Sequence, residues 1–544
     1  MNSERVKPSK IYHSNQISHH LKSRLPRPAA LLEKKSQLVD KMGKDKKGLL
    51  LYKIDDDNTK KRRKRRRHQY GTWCSLVCFI FVGAQYFVHF YLPTYSSSKL
   101  AESGHASLAS PDSEKSQPQV SLVILTYKRF DLFSLLLQSI LQQKGRHSFE
   151  ILIADSGCIP ETKKEIKKYL DDPIYNFDGI PYKYLEACDN PGYAIGNNRA
   201  VKELASESSK WLLFLNDDIT MQGDDFLENM MKVVESHPEE AAGSGCVMKN
   251  SDGSKLIESG SILFKDASAH GFGRDRTDFN APELSYPRPV DYVSGACLLV
   301  AKKVFTDYDG FDAASFPSYY EDTDLQTHIQ HDLGKQLWLS PKSIAHHAEH
   351  ASFGSSTATQ LMNASKNRFV EKWKYHLVDH LSNPFANKTL TKTEREVALL
   401  RASDLRARDP ERANILWLDT KIPNRNKGGE QAFGNIKVLL ELGHRVTVAT
   451  TKGNWCSEDC IDELRNMGVE VATTDDWEND WEIFVESRQG FYDVFIVSRP
   501  DTFKQSNEKW QHYLKKHPST IVYDSEALVY RDLNLHLDRS HGRT

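Results

Sequence analysis

The pattern of apolar and polar positions divides the chain into unlike stretches. Residues 1–72 carry no hydrophobic period, and a single almost uncharged run, WCSLVCFIFVGAQYFVHFYL, follows over 73–92 with Gln85 and His89 as its strongly polar members. A helix needs about 20 such residues to cross a bilayer's hydrocarbon core, so the run predicts a transmembrane helix. Residues 93–118 are rich in Ser, Pro and Ala with no period, the composition of a flexible stem. From Val120 onward, apolar runs alternate with amphipathic stretches: VSLVIL, FDLFSLLLQSILQ, FEILIAD, ETKKEIKKYL, YKYLEA. Short buried strands alternating with helices predict an α/β fold with a parallel sheet over 119–380. After a linker over 381–412, charged and helical from Thr391 to Arg408, the alternation resumes, predicting a second α/β domain over 413–544. Its strands are expected at 414–419, 444–450, 469–472, 492–498 and 520–523, with a turn at Lys427-Gly428-Gly429 and a helix through Leu442. More than one domain is what 544 residues require, since a single core stops growing well before that length.

Charge sharpens the picture of the N-terminus. The formal net charge is zero, yet residues 1–70 hold 21 Lys/Arg against 7 Asp/Glu, and residues 60–67 read KKRRKRRR. Such a block serves nuclear import, nucleic-acid binding or the cytosolic flank of a membrane span. Its position against an apolar run selects the flank, so the tail is expected in the cytosol and the rest of the chain in the lumen, with no nucleic-acid partner. The sequons at Asn363 and Asn387 would be usable in that compartment. Eight cysteines show no paired spacing for structural zinc, and Cys158, Cys188, Cys246, Cys297, Cys456 and Cys460 would face an oxidising lumen with their pairing open.

In parallel sheets ligands bind beyond the carboxyl ends of the strands. There the chain places Thr126, Tyr127, Lys128 and Arg129, then Asp155, then Asn190-Pro-Gly192-Tyr-Ala-Ile-Gly-Asn197-Asn198, then Asn216-Asp217-Asp218. Adjacent carboxylates at a strand end repel unless a cation or solvent relieves them, and hard divalent cations take oxygen ligands and bridge phosphates. The same Asn-Asp-Asp could instead cap the helix expected near Asp224. Further on, Ser294-Gly-Ala-Cys297, Gly310-Phe-Asp312 and Tyr319-Tyr-Glu321-Asp322-Thr-Asp324 are followed by a histidine group at 346, 347 and 350. Glu321 to Asp324 also suit the first turn of a helix, where acidic side chains meet the dipole favourably.

These motifs, in this order, resemble glycosyltransferase family 2, with the GT-A fold, and in particular its rhamnosyltransferase-like branch. The resemblance covers about residues 120–377. It implies a nucleoside diphosphate sugar as donor, Mn²⁺ or Mg²⁺ as cofactor, a glycan or glycoconjugate hydroxyl as acceptor, and inversion at the transferred sugar. Donor contacts would fall to Thr126, Tyr127, Arg129, Asp155, Asn190, Gly192, Asn197, Asn198 and Asp217. The metal would fall to Asp218 and His347, with Asn216 in the place of the family's first Asp. The base would be Asp322, with Glu321 second. The C-terminal stretch resembles the N-terminal half of a GT-B glycosyltransferase of the family 4 kind, where Gly428 and Gly429 could admit an anion to a helix N-terminus. It is expected to be an accessory or acceptor-binding module. The whole then reads as a single-pass type II enzyme of the Golgi or ER membrane, its oligomeric state open. A fold that has lost turnover and serves as a scaffold or glycan-binding membrane protein is the alternative.

Overall fold

The computed structural model describes residues 117–172, 179–188, 192–348, 355–425, 429–451, 457–473, 481–499, 502 and 520–524. The expected basic tail, membrane span and most of the stem, together with Asn190, His350, Cys456, Lys427 and Gly428, lie outside them. Among the described residues no helix is long and apolar enough to cross a membrane. The chain forms two compact units, one of residues 109–519 and one of 1–108 with 520–544, whose described part is the strand Thr520–Asp524.

The first sheet begins with β1 (Val120–Thr126), β2 (Phe149–Asp155), β3 (Tyr182–Glu186) and β4 (Trp211–Asn216), connected by α1 (Phe130–Leu141), α2 (Pro160–Asp171) and α3 (Tyr193–Leu204). All four strands run parallel, in the order β4-β1-β2-β3. Each helix turns one stripe to the sheet. In α1 the stripe is Phe133, Leu136, Leu137 and Ile140, spaced by three or four and fully buried. Burying side chains of this size contributes about 1.5–3 kcal/mol each, which is what fixes the crossover helix to the strands.

Past β4 the sheet changes direction. It is extended by β5 (Ile219–Gln222), β6 (Ala241–Asn250), β7 (Leu256–Ser259), β10 (Arg288–Val290), β11 (Cys297–Ala301) and β12 (Gln336–His347), while β8 (Ser261–Leu263) and β9 (Ala269–Gly271) form a separate hairpin. Strand β11 is antiparallel to both β4 and β6, and it carries the Ser294-Gly295-Ala296 loop back beside Asn216. The interleaved helices are α4 (Phe226–Ser236), α5 (Lys302–Asp307), α6 (Glu321–His331) and α7 (Ser355–Leu377).

After α8 (Lys392–Ala402) and α9 (Leu405–Arg408), a second sheet is built from β13 (Asn414–Asp419), β14 (Arg445–Thr450), β15 (Glu470–Ala472) and β16 (Val494–Ser498). They pair in the order β15-β14-β13-β16, all parallel, with α10 (Glu430–Glu441), α11 (Glu458–Asn466) and α12 (Trp481–Ser487) between them. Both sheets lie in the same compact unit, residues 109–519.

A buried polar seam explains this. Arg445, fully buried at the start of β14, donates to Glu470 Oε2 (2.7 Å), Thr447 Oγ1 (3.1 Å) and the Tyr286 hydroxyl (3.2 Å), and that hydroxyl donates to Asp404 (3.1 Å). Arg488 bridges Glu470 and Glu283, each at 2.8 Å, so residues 283 and 286 of the first sheet's surroundings are tied to the second sheet. A charge left unpaired there would carry a penalty of several kcal/mol, which makes the seam a condition of folding for both sheets.

Candidate active site

The carboxyl ends of β1 and β4, the loop before β11, the start of α6 and the end of β12 surround one cleft of about 640 Å³. Its wall includes Tyr127, Gly192, Asn216, Asp217, Asp218, Glu321, Asp322 and His347, from widely separated stretches of the chain.

Asn216 ends β4, and its backbone N–H donates to the Ala296 carbonyl at 3.0 Å. Asp217 holds the β1 exit, accepting from the Thr126 hydroxyl (2.9 Å) and the Tyr127 N–H (3.1 Å). Burial pushes its carboxyl up to about 6 against the pull of those two bonds. The helix-capping reading of this Asn-Asp-Asp is displaced: β5 follows at once, and α4 starts only at Phe226 behind Asp225.

Asp218 and His347 meet because β12 pairs antiparallel with β5, setting His347 opposite Ile219. His347 Nε2 lies 3.2 Å from Asp218 Oδ1, not aligned as a hydrogen bond, and that oxygen is buried without a hydrogen-bond partner. Two lone-pair donors facing each other across such a gap, one an orphaned carboxylate oxygen, fit a shared divalent cation whose remaining positions a diphosphate and water would fill. Among the described residues no group of three or more His, Cys, Asp or Glu side chains is placed to hold a metal ion; Asn216 lines the same cleft as Asp218 and His347. Strand alternation separates His346 from His347. The ring of His346 packs over Gly253, where an added Cβ would come within 2.7 Å of it.

On the opposite wall, Tyr319 and Tyr320 both adopt left-handed backbone, with φ of 65° and 71°, and turn the chain sharply into α6. The helix starts at Glu321, so the acidic run does occupy its first turn, but its members divide in role. Asp324 is consumed by Trp373 Nε1 (2.7 Å), Lys372 Nζ (2.9 Å) and the Tyr308 hydroxyl (3.0 Å), and ties α6 to α7. Asp322 accepts from the Gly295 N–H and the Thr323 N–H, both at 2.7 Å. Glu321 has one oxygen, Oε2, buried without a partner. Burial, reinforced by neighbouring Asp322, holds Glu321 well above the usual carboxylate range. Burial raises Asp322 too, but its backbone N–H bonds oppose the rise. The pair is thus split into a proton-retaining Glu321 and a more readily ionised Asp322.

Several of the expected donor residues are engaged in hydrogen bonds within the fold. Asp155 lies at 0% exposure, with Oδ1 accepting from the Gly157 and Cys158 N–H groups and Oδ2 from the Tyr184 hydroxyl at 2.6 Å. It shapes the loop after β2, which the Cys158–Cys188 disulfide joins to the end of β3. Asn198 exchanges both amide bonds with the Phe311 backbone (2.8 and 2.9 Å), and Asn197 donates to the Tyr193 carbonyl within α3. Neither lines the cleft, nor do Asp155, Thr126 and Arg129, whose guanidinium pairs with Asp131. Gly192 does, at φ 88°, where a Cβ would meet the Pro317 carbonyl at 2.9 Å. The reading of motifs missed Glu258 of β7, a buried carboxylate on the cleft wall that accepts from the Ser294 N–H (3.1 Å) and the Ser261 hydroxyl. No repeated spacing marks it, since only the β6–β7 pairing brings it there.

Comparison with known proteins agrees with this geometry. Residues 121–306 match the family described as glycosyl transferase family 2. The chain is 24% identical over 332 residues to the O-antigen biosynthesis protein RfbC of Myxococcus xanthus, covering 60% of this chain and 24% of that protein. It is 25% identical over 247 residues to an N-acetylglucosaminyl-diphospho-decaprenol L-rhamnosyltransferase of Mycobacterium tuberculosis, covering 40% of this chain and 73% of that one. The chain thus spans about a quarter of the length of RfbC. A Pyrobaculum calidifontis mannosyltransferase solved with GDP-Man and Mn²⁺ is similar over 63% of this chain and 81% of that one, at 13% identity and a TM-score of 0.34, too low to carry an assignment. Residues 121–306 of this α/β fold are thus similar to a glycosyl transferase family 2 domain.

Proposed function

We propose that the protein is a membrane-anchored, metal-dependent, inverting glycosyltransferase that moves one sugar from a nucleoside diphosphate sugar to a hydroxyl of a glycan or glycoconjugate. The observation that carries this reading is the orphaned Asp218 oxygen beside His347, in one cleft with the Glu321–Asp322 pair. Asp218 and His347 would hold Mn²⁺ or Mg²⁺, which, when bound, neutralises charge on the departing diphosphate.

The protein's own residues supply the rest. Asp322, kept ionisable by the Gly295 and Thr323 N–H groups, accepts the proton of the acceptor hydroxyl. The hydroxyl oxygen then bonds to the anomeric carbon as that carbon's bond to the diphosphate oxygen breaks, a single displacement that inverts. Tyr193 fixes the loop under the base by donating to the Gly295 carbonyl at 2.7 Å. Asp217 holds the β1 exit against the donor side through Thr126 and Tyr127. The basic block and apolar run over 60–92 support a type II anchor with the transferase domain in the Golgi or ER lumen. The second parallel sheet supports an accessory module like the N-terminal half of a GT-B enzyme.

The test is a donor screen of the full chain in detergent with Mn²⁺ or Mg²⁺, scored by nucleoside diphosphate release. Release by the wild type, lost with chelator and in Asp218→Ala and Asp322→Asn, is expected. Equal inertness of all three proteins with every donor would remove the enzyme reading in favour of a scaffold.

A further inference from the structure

The carboxyl edge of the second sheet presents a row of oxygens that the fold leaves unsatisfied. Thr450 closes β14, Asp419 closes β13 and Ser498 closes β16. Register sets Asp419 beside Thr450, and the pairing of Leu418 with Val497, continued by one residue, sets it beside Ser498. Residues level with each other on adjacent strands share a face, so the three side chains stand side by side. Their exposures are 1%, 0% and 0%, and Thr450 Oγ1, Asp419 Oδ2 and Ser498 Oγ each lack a hydrogen-bond partner, as does Thr451 Oγ1 next to them. Buried polar atoms in folded proteins are overwhelmingly paired, so four orphans at one strand edge are not chance roughness. The equivalent edge of the first sheet shows the contrast: both carboxylate oxygens of Asp155, level with Thr126, are matched, one by its own loop and the other by Tyr184 of β3.

The charges around the row restrict what can satisfy it. Asp419 Oδ1 is already paired with Arg499 Nε at 2.7 Å. A cation would face that guanidinium, and an anion would face the orphaned carboxylate oxygen. A neutral ligand bearing adjacent hydroxyls suits both: its O–H groups donate to Asp419 Oδ2, and its oxygens accept from the Thr and Ser hydroxyls. The position, beyond the strand ends and between β13 and its neighbours on either side, is where open parallel sheets take ligands.

We propose that Asp419, Thr450 and Ser498 form a second binding site, separate from the transferase cleft, for a neutral vicinal diol. Such a diol comes either from a sugar residue of a glycan or from the ribose of a nucleoside.

The test is calorimetric titration of the full chain in detergent with methyl hexosides and methyl 6-deoxyhexosides in one arm and ribonucleosides in the other. Each is repeated on Thr450→Val/Ser498→Ala and on Asp218→Ala. At least tenfold weaker binding in the double variant, with no loss in Asp218→Ala, is expected, and the arm that responds identifies the source. The double variant removes two orphaned hydroxyls, so its melting temperature without ligand should equal or exceed that of the wild type. Asp419→Asn, which keeps the shape but not the charge, should weaken the same ligand. Binding that is absent, or indifferent to the double variant and Asp419→Asn, would mean that buried water alone fills the row and would overturn the proposal. Nucleoside diphosphate release measured on the same samples reports the transferase cleft separately, so each reading fails on its own signal.

Discussion

The cleft and the seam between the two sheets are both rich in buried carboxylates, and they treat them in opposite ways. In the seam, Glu470 accepts from Arg445, Arg488 and Thr447, and Asp404 from Arg406 and Tyr286. Their carboxyls are held below the ordinary range: burial would raise them, but the neighbouring guanidiniums outweigh it. In the cleft, Asp218 and Glu321 each keep a buried oxygen without a partner, and burial holds Glu321 far above the ordinary range. A buried carboxylate whose every lone pair is matched stabilises the fold it sits in. One left unmatched costs stability and is available for chemistry.

The largest test of this contrast lies in the cleft. Asp322→Asn should cut turnover by roughly 10²–10⁴-fold, the usual share of a general base, while leaving the melting temperature within a few degrees of wild type. Because burial raises Asp322, kcat/KM should fall on the acid side around a pKa above 3.8. A loss of stability equal to the loss of rate would place Asp322 with the seam residues instead.

Next is the seam itself. Arg445→Leu leaves Glu470 and Asp404 facing a missing cation and should cost about 3–5 kcal/mol in urea unfolding. Both sheets should still unfold in one transition, since they share a compact unit; two separated transitions would break the comparison.

The seam also carries a pH signature. Burial would raise Glu283, but the charges of Arg488 and Arg276 bring it down to about 2. A depressed carboxylate stabilises above its unfolded value near 4.5 and loses that contribution as pH falls towards 2. Thermal melts of Arg488→Met should therefore show a shallower acid loss than wild type over that window.

A smaller effect is expected at Gly310, whose φ is 83° and where a Cβ would lie 2.5 Å from Asn198 Oδ1. Gly310→Ala should cost about 1–3 kcal/mol of stability, the range for strained left-handed backbone, through the Asn198–Phe311 clamp. The smallest is a compartment test: with a luminal domain, endoglycosidase should remove one glycan, from exposed Asn387, whose Oδ1 accepts from the Thr389 hydroxyl at 2.7 Å. The Ser365 hydroxyl of the other sequon is instead engaged with the Ser318 carbonyl.

Much of this was legible in one dimension. Parallel strands advertise themselves as apolar runs: β2 begins and ends where FEILIAD does, and β1 begins with VSLVIL and runs one residue past it. What motif reading could not separate was a polar residue at a strand end that faces the cleft from one that the loop consumes. Asp155 and Asp218 look alike in the chain, yet three donors of the protein saturate the first while the second keeps an orphaned oxygen. Asn197 and Asn198 sit in the longest motif and face away, while Glu258 belongs to no motif and faces in.

By itself the sequence determined the alternation of strands and helices, the order of the polar turns between them and the charge asymmetry before residue 73, because these depend on periodicity and composition, which are local. Only the tertiary structure decided which carboxylates keep a free lone pair, which of two adjacent histidines reaches Asp218, and that the second sheet shares one unit with the first. Those outcomes depend on partners as far as 205 residues away in the chain, as between Glu283 and Arg488, and a hydrogen bond is made or missed by less than an ångström.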